Sequence, residues 1–386
     1  LRSRCPSHLP HCVVNAENAA QMKRNAPSKL CSIVSFEREF GIYDCAQMKE
    51  CECHSISSPG DDVVFNFYAI VLFLPIMSTI GITTNLCSMY IYSRLPKQST
   101  NRYLTALSIS DFGVCVTGLL VICADSFRSY NHTVDQIWVF LLPKFIPFGM
   151  FFQMLSVYIT VIAALDCFIS VSRYFSSVKL WYCTIQNATK LIWITVVITA
   201  AYNLIVFGEL ETVHCMQTEL NVTLYELCPT EMRLNEDYIN IYRGYMYAAV
   251  MAFVPFVLLV LLTAGILVAI SRKRCVPQAM AEQSVRVNSG GRMMDQNSSP
   301  TTLILVVALF LLCNSVSLVV NIFDMISGLI SEATSMIMID IGNLLVVFNA
   351  TANFFIYISF SQAYRVALKG IFQKRSKMSK VVQTLL

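Results

Sequence analysis

Seven long stretches of this 386-residue chain carry no charged residue or a single one. Residues 63–93, 191–208, 244–271, 296–323 and 341–364 contain no Asp, Glu, Lys or Arg. Residues 103–124 and 145–172 hold one acid each, Asp111 and Asp166. An apolar helix needs about 20 residues to cross the hydrocarbon of a bilayer, so each stretch reads as a span. The expected fold is an all-α membrane protein, a seven-transmembrane helix bundle over 63–364. An extracellular, Cys-containing segment (1–62) precedes it, and a short cytoplasmic amphipathic helix and tail (365–386) follow. The chain opens on Leu rather than Met, so it is expected to be a piece of a longer one.

Composition supports the membrane reading: charged residues make up 13% and mean hydropathy is +0.58, where a soluble domain carries about 25% charged residues. Orientation follows from Lys and Arg in short loops. Alternate loops and the tail hold 17 basic residues against two acids, Glu282 and Asp295. The opposite loops hold Arg128, Lys144, Arg233 and Arg243 against twelve acids. The expected topology is a multi-pass plasma-membrane protein with its N-terminus outside and its C-terminus in the cytoplasm. The formal charge of +4 averages two unlike faces, so no nucleic-acid partner is implied. Membrane lipid is.

Of the 15 cysteines, eight (Cys5, Cys12, Cys31, Cys45, Cys51, Cys53, Cys215 and Cys228) fall on the expected outer side, where thiols oxidise. Five Asn-X-Ser/Thr sequons occur, and only Asn131 and Asn221 fall outside as glycosylation candidates. Polar residues at membrane depth are costly and are functional candidates. Asn85, Asp111, Ser156, Asn349 and Asn353 come from four spans, and at about 1.5 Å of rise per residue they fall in one layer. Two readings stay open: a hydrogen-bonded network that packs the bundle, or a sodium site in which Asp111, Ser156 and Asn349 donate oxygen. No other cofactor is expected, and no catalytic constellation occurs.

These residues, in this order, resemble the rhodopsin-like G-protein-coupled receptors over residues 65–375. Gly81-Ile-Thr-Thr-Asn85, Leu107-Ser-Ile-Ser-Asp111, Pro255, and Asn353-Phe354-Phe355-Ile356-Tyr357 carry the likeness. Within that family the chain looks like invertebrate FMRFamide-type neuropeptide receptors. The stretches are Leu142-Pro143-Lys144-Phe145-Ile146-Pro147, Ser156-Val157-Tyr158-Ile159-Thr160, Tyr202-Asn203, Leu224-Tyr225-Glu226-Leu227-Cys228-Pro229-Thr230, and Cys313-Asn314-Ser315-Val316. The resemblance implies an ion pocket and activation network of Asn85, Asp111, Ser156, Asn349, Asn353 and Tyr357. It also implies a heterotrimeric G protein as partner, met at a switch of Asp166, Cys167 and Phe168. There the family has Asp/Glu-Arg-Tyr, and the missing arginine puts ordinary coupling in doubt.

The usual disulfide from the top of span 3 has no cysteine near Leu142. Cys215 then pairs with Cys228, Cys123 or the N-terminal segment, and Cys215–Cys228 is the preferred expectation. The acid-rich outer loop suits a cationic peptide ligand such as an amidated Arg-Phe peptide. Glu209 and Glu211 are expected to take the guanidinium, with Phe151, Phe152, Tyr158, Phe348 and Asn314 lining the cavity. A chemosensory receptor for a small ligand is the alternative. A transporter or membrane enzyme is disfavoured, because no repeat relates the two halves.

Overall fold

The computed structural model describes residues 49–50, 65–123, 132–172, 175–217, 222–274, 300–325 and 332–371. Seven long helices follow in order: α1 (Phe67–Arg94), α2 (Ser99–Cys123), α3 (His132–Val171), α4 (Ile185–Gly208), α5 (Tyr238–Arg272), α6 (Pro300–Met325) and α7 (Glu332–Phe360). A further helix, α8, covers 362–371. Six of these elements are long and apolar enough to cross a membrane, and Pro300–Val316 of α6 supplies a shorter apolar run. The molecule is a seven-helix membrane bundle.

Packing follows from which side chains have helix neighbours and which face lipid. In α3, 72% of the most apolar window is buried, against 17% in α4 and in α5. Thus α3 is the central pillar, touching α2, α4, α5 and α6. On the outer helices Trp193, Val197, Ile198, Val257 and Leu261 are exposed, which is stable where the surroundings are hydrocarbon rather than water. Small residues let backbones meet. A Cβ at Gly81 would overlap Cys115 Sγ and Thr351 Oγ1, so α1, α2 and α7 converge where only hydrogen fits.

The connection after α4 is a hairpin, β2 (Leu210–Gln217) antiparallel to β3 (Val222–Pro229), with Leu210 opposite Pro229 and Gln217 opposite Val222. A two-residue strand from the N-terminal segment, β1 (Lys49–Glu50), adds in parallel to β2, with Lys49 opposite Cys215. The hairpin end of the bundle is therefore roofed by a three-stranded sheet.

Helices α3, α4, α5 and α7 start before the expected bounds, because the charge that ended each expected run lies inside the helix. These are Lys144 in α3, Lys190 in α4, Arg243 in α5 and Asp340 in α7. In α3 and α5 proline adds a further feature. The third span, expected to begin at 145, starts at His132 and runs 40 residues through Pro143 and Pro147. That is about 60 Å, twice a bilayer core. A proline has no N–H for the carbonyl four residues back. The carbonyl that Pro143 leaves is that of Val139, and Thr212 Oγ1 from β2 donates to it at 3.1 Å. In α5 the turns Tyr238–Met246 and Ala248–Phe253 are π-helical, so each N–H reaches five residues back. Pro255 then leaves the Val250 carbonyl, and Tyr158 Oη donates to it at 3.0 Å.

In α8 Tyr364 is buried, Ala367, Leu368 and Ile371 pack on the core, and Lys369 is exposed. The expected partners Phe372, Lys374 and Arg375 lie outside the described residues, as do most of 1–62 and all of 372–386.

Candidate functional site

At mid-depth the structure brings α2, α3 and α7 together on one carboxylate. Asp111 is fully buried. Ser156 Oγ donates to its Oδ1 at 2.6 Å and Asn353 Nδ2 to its Oδ2 at 2.7 Å. Asn85 is spent on the backbone, donating to the Gly81 carbonyl at 2.9 Å and the Ala350 carbonyl at 3.0 Å, so it pins α1 to α7. The side-chain oxygens of Asn349 and Asn353 are buried and have no hydrogen-bond partner. A buried acceptor without a partner is costly. One carboxylate beside hydroxyl and amide oxygens is a hard donor set of low charge, which fits a monovalent cation. Among the described residues no group of three His, Cys, Asp or Glu side chains could hold a metal.

Toward the opposite, basic end, Asp166 is 1% exposed and accepts from Ser99 Oγ at 3.0 Å and Thr100 Oγ1 at 3.3 Å. Both hydroxyls stand at the start of α2, where the helix N-terminus favours negative charge. Cys183 Sγ donates to the Asp166 backbone carbonyl at 3.7 Å. Burial and the nearby Asp166 charge push the Cys183 thiol up to about 12. The rings of Tyr92, Tyr357 and Tyr364 pack at 5.1 to 5.6 Å, with the Tyr92 and Tyr357 hydroxyls buried and without partners.

The expected switch residues Asp166, Cys167 and Phe168 lie within the bundle in this conformation. Cys167 is 6% exposed within an apolar cluster that includes Tyr103, Ile266, Leu303 and Tyr357. Phe168 lies on Gly265 of α5, close enough that a Cβ there would sit 2.7 Å from its ring. What is exposed at this end is the short helix Ser176–Tyr182, with Leu180 at 83% and Trp181 at 70%.

At the hairpin end the expected ligand carboxylate is already paired. Glu209 is 2% exposed. Arg243 donates to both its oxygens, Tyr238 Oη donates to Oε1, and Arg233 lies 3.8 Å away. Glu209 therefore holds the foot of the hairpin to α5 rather than standing open to a guanidinium. Glu211, Glu231, Glu236 and Asp237 are exposed. Tyr158, expected as a cavity wall, spends its hydroxyl on α5 as described above. Phe348 is 42% exposed on one stripe of α7 with Phe355, turned away from the bundle. Phe151 and Phe152 do meet, at 5.1 Å, and Phe152 packs over Gly113. Asn314 Nδ2 donates to the Phe310 carbonyl one turn earlier.

Cys215 is disulfide-bonded and Cys228 is not its partner. The register explains why: Cys215 faces Leu224 and Cys228 faces Glu211, far apart along the ladder. Cys123, also considered, is not the partner either. Both sequons, Asn131 and Asn221, lie outside the described residues.

Sequence reasoning missed Gln136, whose Oε1 accepts from the Tyr225 N–H at 2.9 Å while its Nε2 donates to the Tyr225 carbonyl at 3.2 Å. It fastens β3 to α3 as a neighbouring strand would. The charges of Asp135 and Lys144 hid it, because they kept residues 132–144 out of the run that marked the expected span.

Comparison with known proteins agrees with this architecture. Residues 71–375 match the family model described as serpentine type 7TM GPCR chemoreceptor Srw. The chain is 30% identical over 321 residues to a probable G-protein coupled receptor, frpr-1, of Caenorhabditis elegans, covering 79% of each. It is 28% identical to the FMRFamide receptor of Drosophila melanogaster, covering 80% of this chain and 54% of that one. To the FMRFamide peptide receptor frpr-18 of Caenorhabditis elegans it is 26% identical, over 75% and 66%. Where the relatives run longer, this chain spans only part of them. With seven packed spans and a match over most of its length, the chain belongs to the serpentine seven-transmembrane G-protein-coupled receptors of the Srw type, a receptor rather than an enzyme.

Proposed function

We propose that this receptor answers a cationic, amidated peptide of the Arg-Phe type and passes the signal to a heterotrimeric G protein. The observation that carries this reading is the similarity over 80% of the chain to a protein named as an FMRFamide receptor. The exposed acids Glu211, Glu231, Glu236 and Asp237 at the hairpin end support it, since a carboxylate-rich mouth attracts cations and speeds encounter. The excess of Lys and Arg in the other loops supports a hairpin end that faces outward and a basic end in the cytoplasm. There the exposed Leu180 and Trp181 offer the G protein an apolar contact.

The mechanism is a shift between two packings. Peptide contacts near α3, α5, α6 and α7 favour an open basic end, with α6 bending about Phe310 and Asn314. Asp111 is the hub of the resting packing. A sodium ion beside it would be held by Asp111 and Ser156, with the unpartnered oxygens of Asn349 and Asn353 completing the donors. Such an ion would favour whichever packing keeps those oxygens together.

The experiment is a calcium and cAMP assay on cells displaying the full chain, challenged with amidated Arg-Phe peptides and with the same peptides as free acids. A response to the amides establishes the peptide reading. In that case rising sodium should shift agonist potency in the native receptor and not in Asp111→Asn. Silence with verified surface display would overturn it in favour of the second reading, a small chemosensory ligand. The description of the matched family as chemoreceptors is what favours that alternative.

A further inference from the structure

Where α1 meets the loop to α2, the basic end carries a cleft that belongs neither to the Asp111 hub nor to the hairpin. Its volume is about 480 Å³, and Arg94, Pro96 and Lys97 face Ala363, Val366 and Ala367 of α8 across it. Both walls are fixed. The Pro96 carbonyl accepts from the Gln98 N–H and from Asn101 Nδ2, each at 2.9 Å. On the other wall Arg365 Nη1 donates to the carbonyls of Ile358 and Ser359 at 3.1 and 2.6 Å, which locks the start of α8 to the end of α7. A rigid cleft spares an occupant the cost of ordering its walls.

The cations there have no counter-charge within the protein. Arg94 and Lys97 are exposed, and neither has a carboxylate partner among the described residues. No Asp or Glu occurs at 88–110 or 361–371. Lys369 adds a third exposed cation, and it follows Val366 by three residues, on the same side of α8. Tyr90 marks the depth: it is 48% exposed one turn before Arg94, whose guanidinium lies 5.2 Å from the ring centre. An exposed tyrosine at the end of an apolar span belongs at the level of lipid headgroups. The cleft is also partly apolar. Val366 is half exposed, in a helix whose Tyr364, Ala367 and Leu368 pack on the core. Unpaired cations beside exposed hydrocarbon match the two halves of an anionic phospholipid.

We propose that this cleft binds an anionic phospholipid of the phosphoinositide class, with Arg94 and Lys97 on its headgroup phosphates and Pro96 and Val366 against its glycerol and upper chain. Basic pockets beside spanning helices take such headgroups. A phosphomonoester carries about −1.5 to −2 charges at pH 7, which suits paired cations. The bound lipid joins α1, the loop to α2 and α8 at the foot of the bundle. Nothing in this inference depends on which ligand the receptor answers.

The test uses the purified full chain in detergent, with phosphatidylinositol bisphosphate as the probe and lipid adducts counted by native mass spectrometry. One adduct should form first, and excess phosphatidylcholine should not displace it. Arg94→Gln and Lys97→Gln should each weaken it about fivefold, and the two together about 25-fold. Lys190→Gln removes an exposed cation at the foot of α4 and should leave the adduct unchanged. Soluble inositol trisphosphate separates a lipid from a free phosphate. It should bind far more weakly, because it lacks the chain that Val366 and Pro96 cover. Native affinity in the double variant, an equal loss in Lys190→Gln, or equal binding of the soluble headgroup would each overturn the proposal. If the double variant does not fold, a photoactivatable analogue of the lipid decides on the native chain. Crosslinks at 94–97 and 363–367 support the cleft, and crosslinks confined to other residues overturn it.

Discussion

Glu209 and Cys183 show how far a residue's meaning depends on what folds around it. In the sequence Glu209 is one of a run of loop acids, and nothing marks it as different from Glu211. In the structure it is buried with Arg243 and Tyr238 on its oxygens, while Glu211 is exposed. A buried carboxylate left without its partner costs about 3–5 kcal/mol. Arg243→Ala should therefore lower the melting temperature of the purified receptor sharply, and Glu211→Gln should leave it unchanged. Equal melting curves for the two variants would remove the ion pair from the account of stability. Cys183 gives a pH signature. Its thiol is pushed up from the ordinary 9.0 to about 12 by burial and by Asp166. Because the thiolate is the reactive form, its share at pH 8 falls about 1,000-fold relative to an unshifted thiol. Alkylation of Cys183, followed by peptide mass spectrometry, should climb tenfold per pH unit from 7 to 9 with no plateau near 9.

At the scale of the element, helices were legible where charge is absent, and their starts were misplaced where a charged residue lies inside the helix. The seven runs with at most one charge gave all seven spans, because the cost of burying charge in hydrocarbon leaves so few alternatives. The start of α3 was misplaced because Lys144 ends the run that marked it, and only the folded chain supplies Thr212 to take the Val139 carbonyl that Pro143 leaves. The same holds for Tyr158 and Val250 beside Pro255. Both hydroxyls come from other elements, so no local window contains the compensation. Thr212→Val and Tyr158→Phe each remove one donor and keep the shape. Each should cost about 1–3 kcal/mol for the carbonyl left unpaired, read as a fall in thermal stability. Thr212→Ser should restore stability, and if Thr212→Val melts like the native chain the carbonyl is satisfied in some other way.

The whole molecule places its polar hub and its apolar lock at different depths. Asp111, Ser156 and Asn353 were legible as a layer from helical rise alone, and the structure joins them directly. The lock was not legible, since it depends on which faces of five helices converge at the basic end. There Cys167 is enclosed with Tyr103, Ile266, Leu303, Val306 and Tyr357, and Asp166 is held by α2 rather than by a neighbouring arginine. The residue after Asp166 thus contributes small volume, not charge. Cys167→Arg would force a guanidinium into that cluster, and overpacking a filled core costs about 1–3 kcal/mol before any charge is desolvated. The resting packing carries the whole of that penalty, while a packing opened at the basic end lets the arginine reach water. Cys167→Arg should therefore raise basal signalling and lower the melting temperature of the unliganded receptor, whereas Cys167→Ala should change basal signalling little. Unchanged basal signalling and stability in Cys167→Arg at native surface levels would show that the basic end is already open at rest, and that the enclosed cysteine does not help to close it.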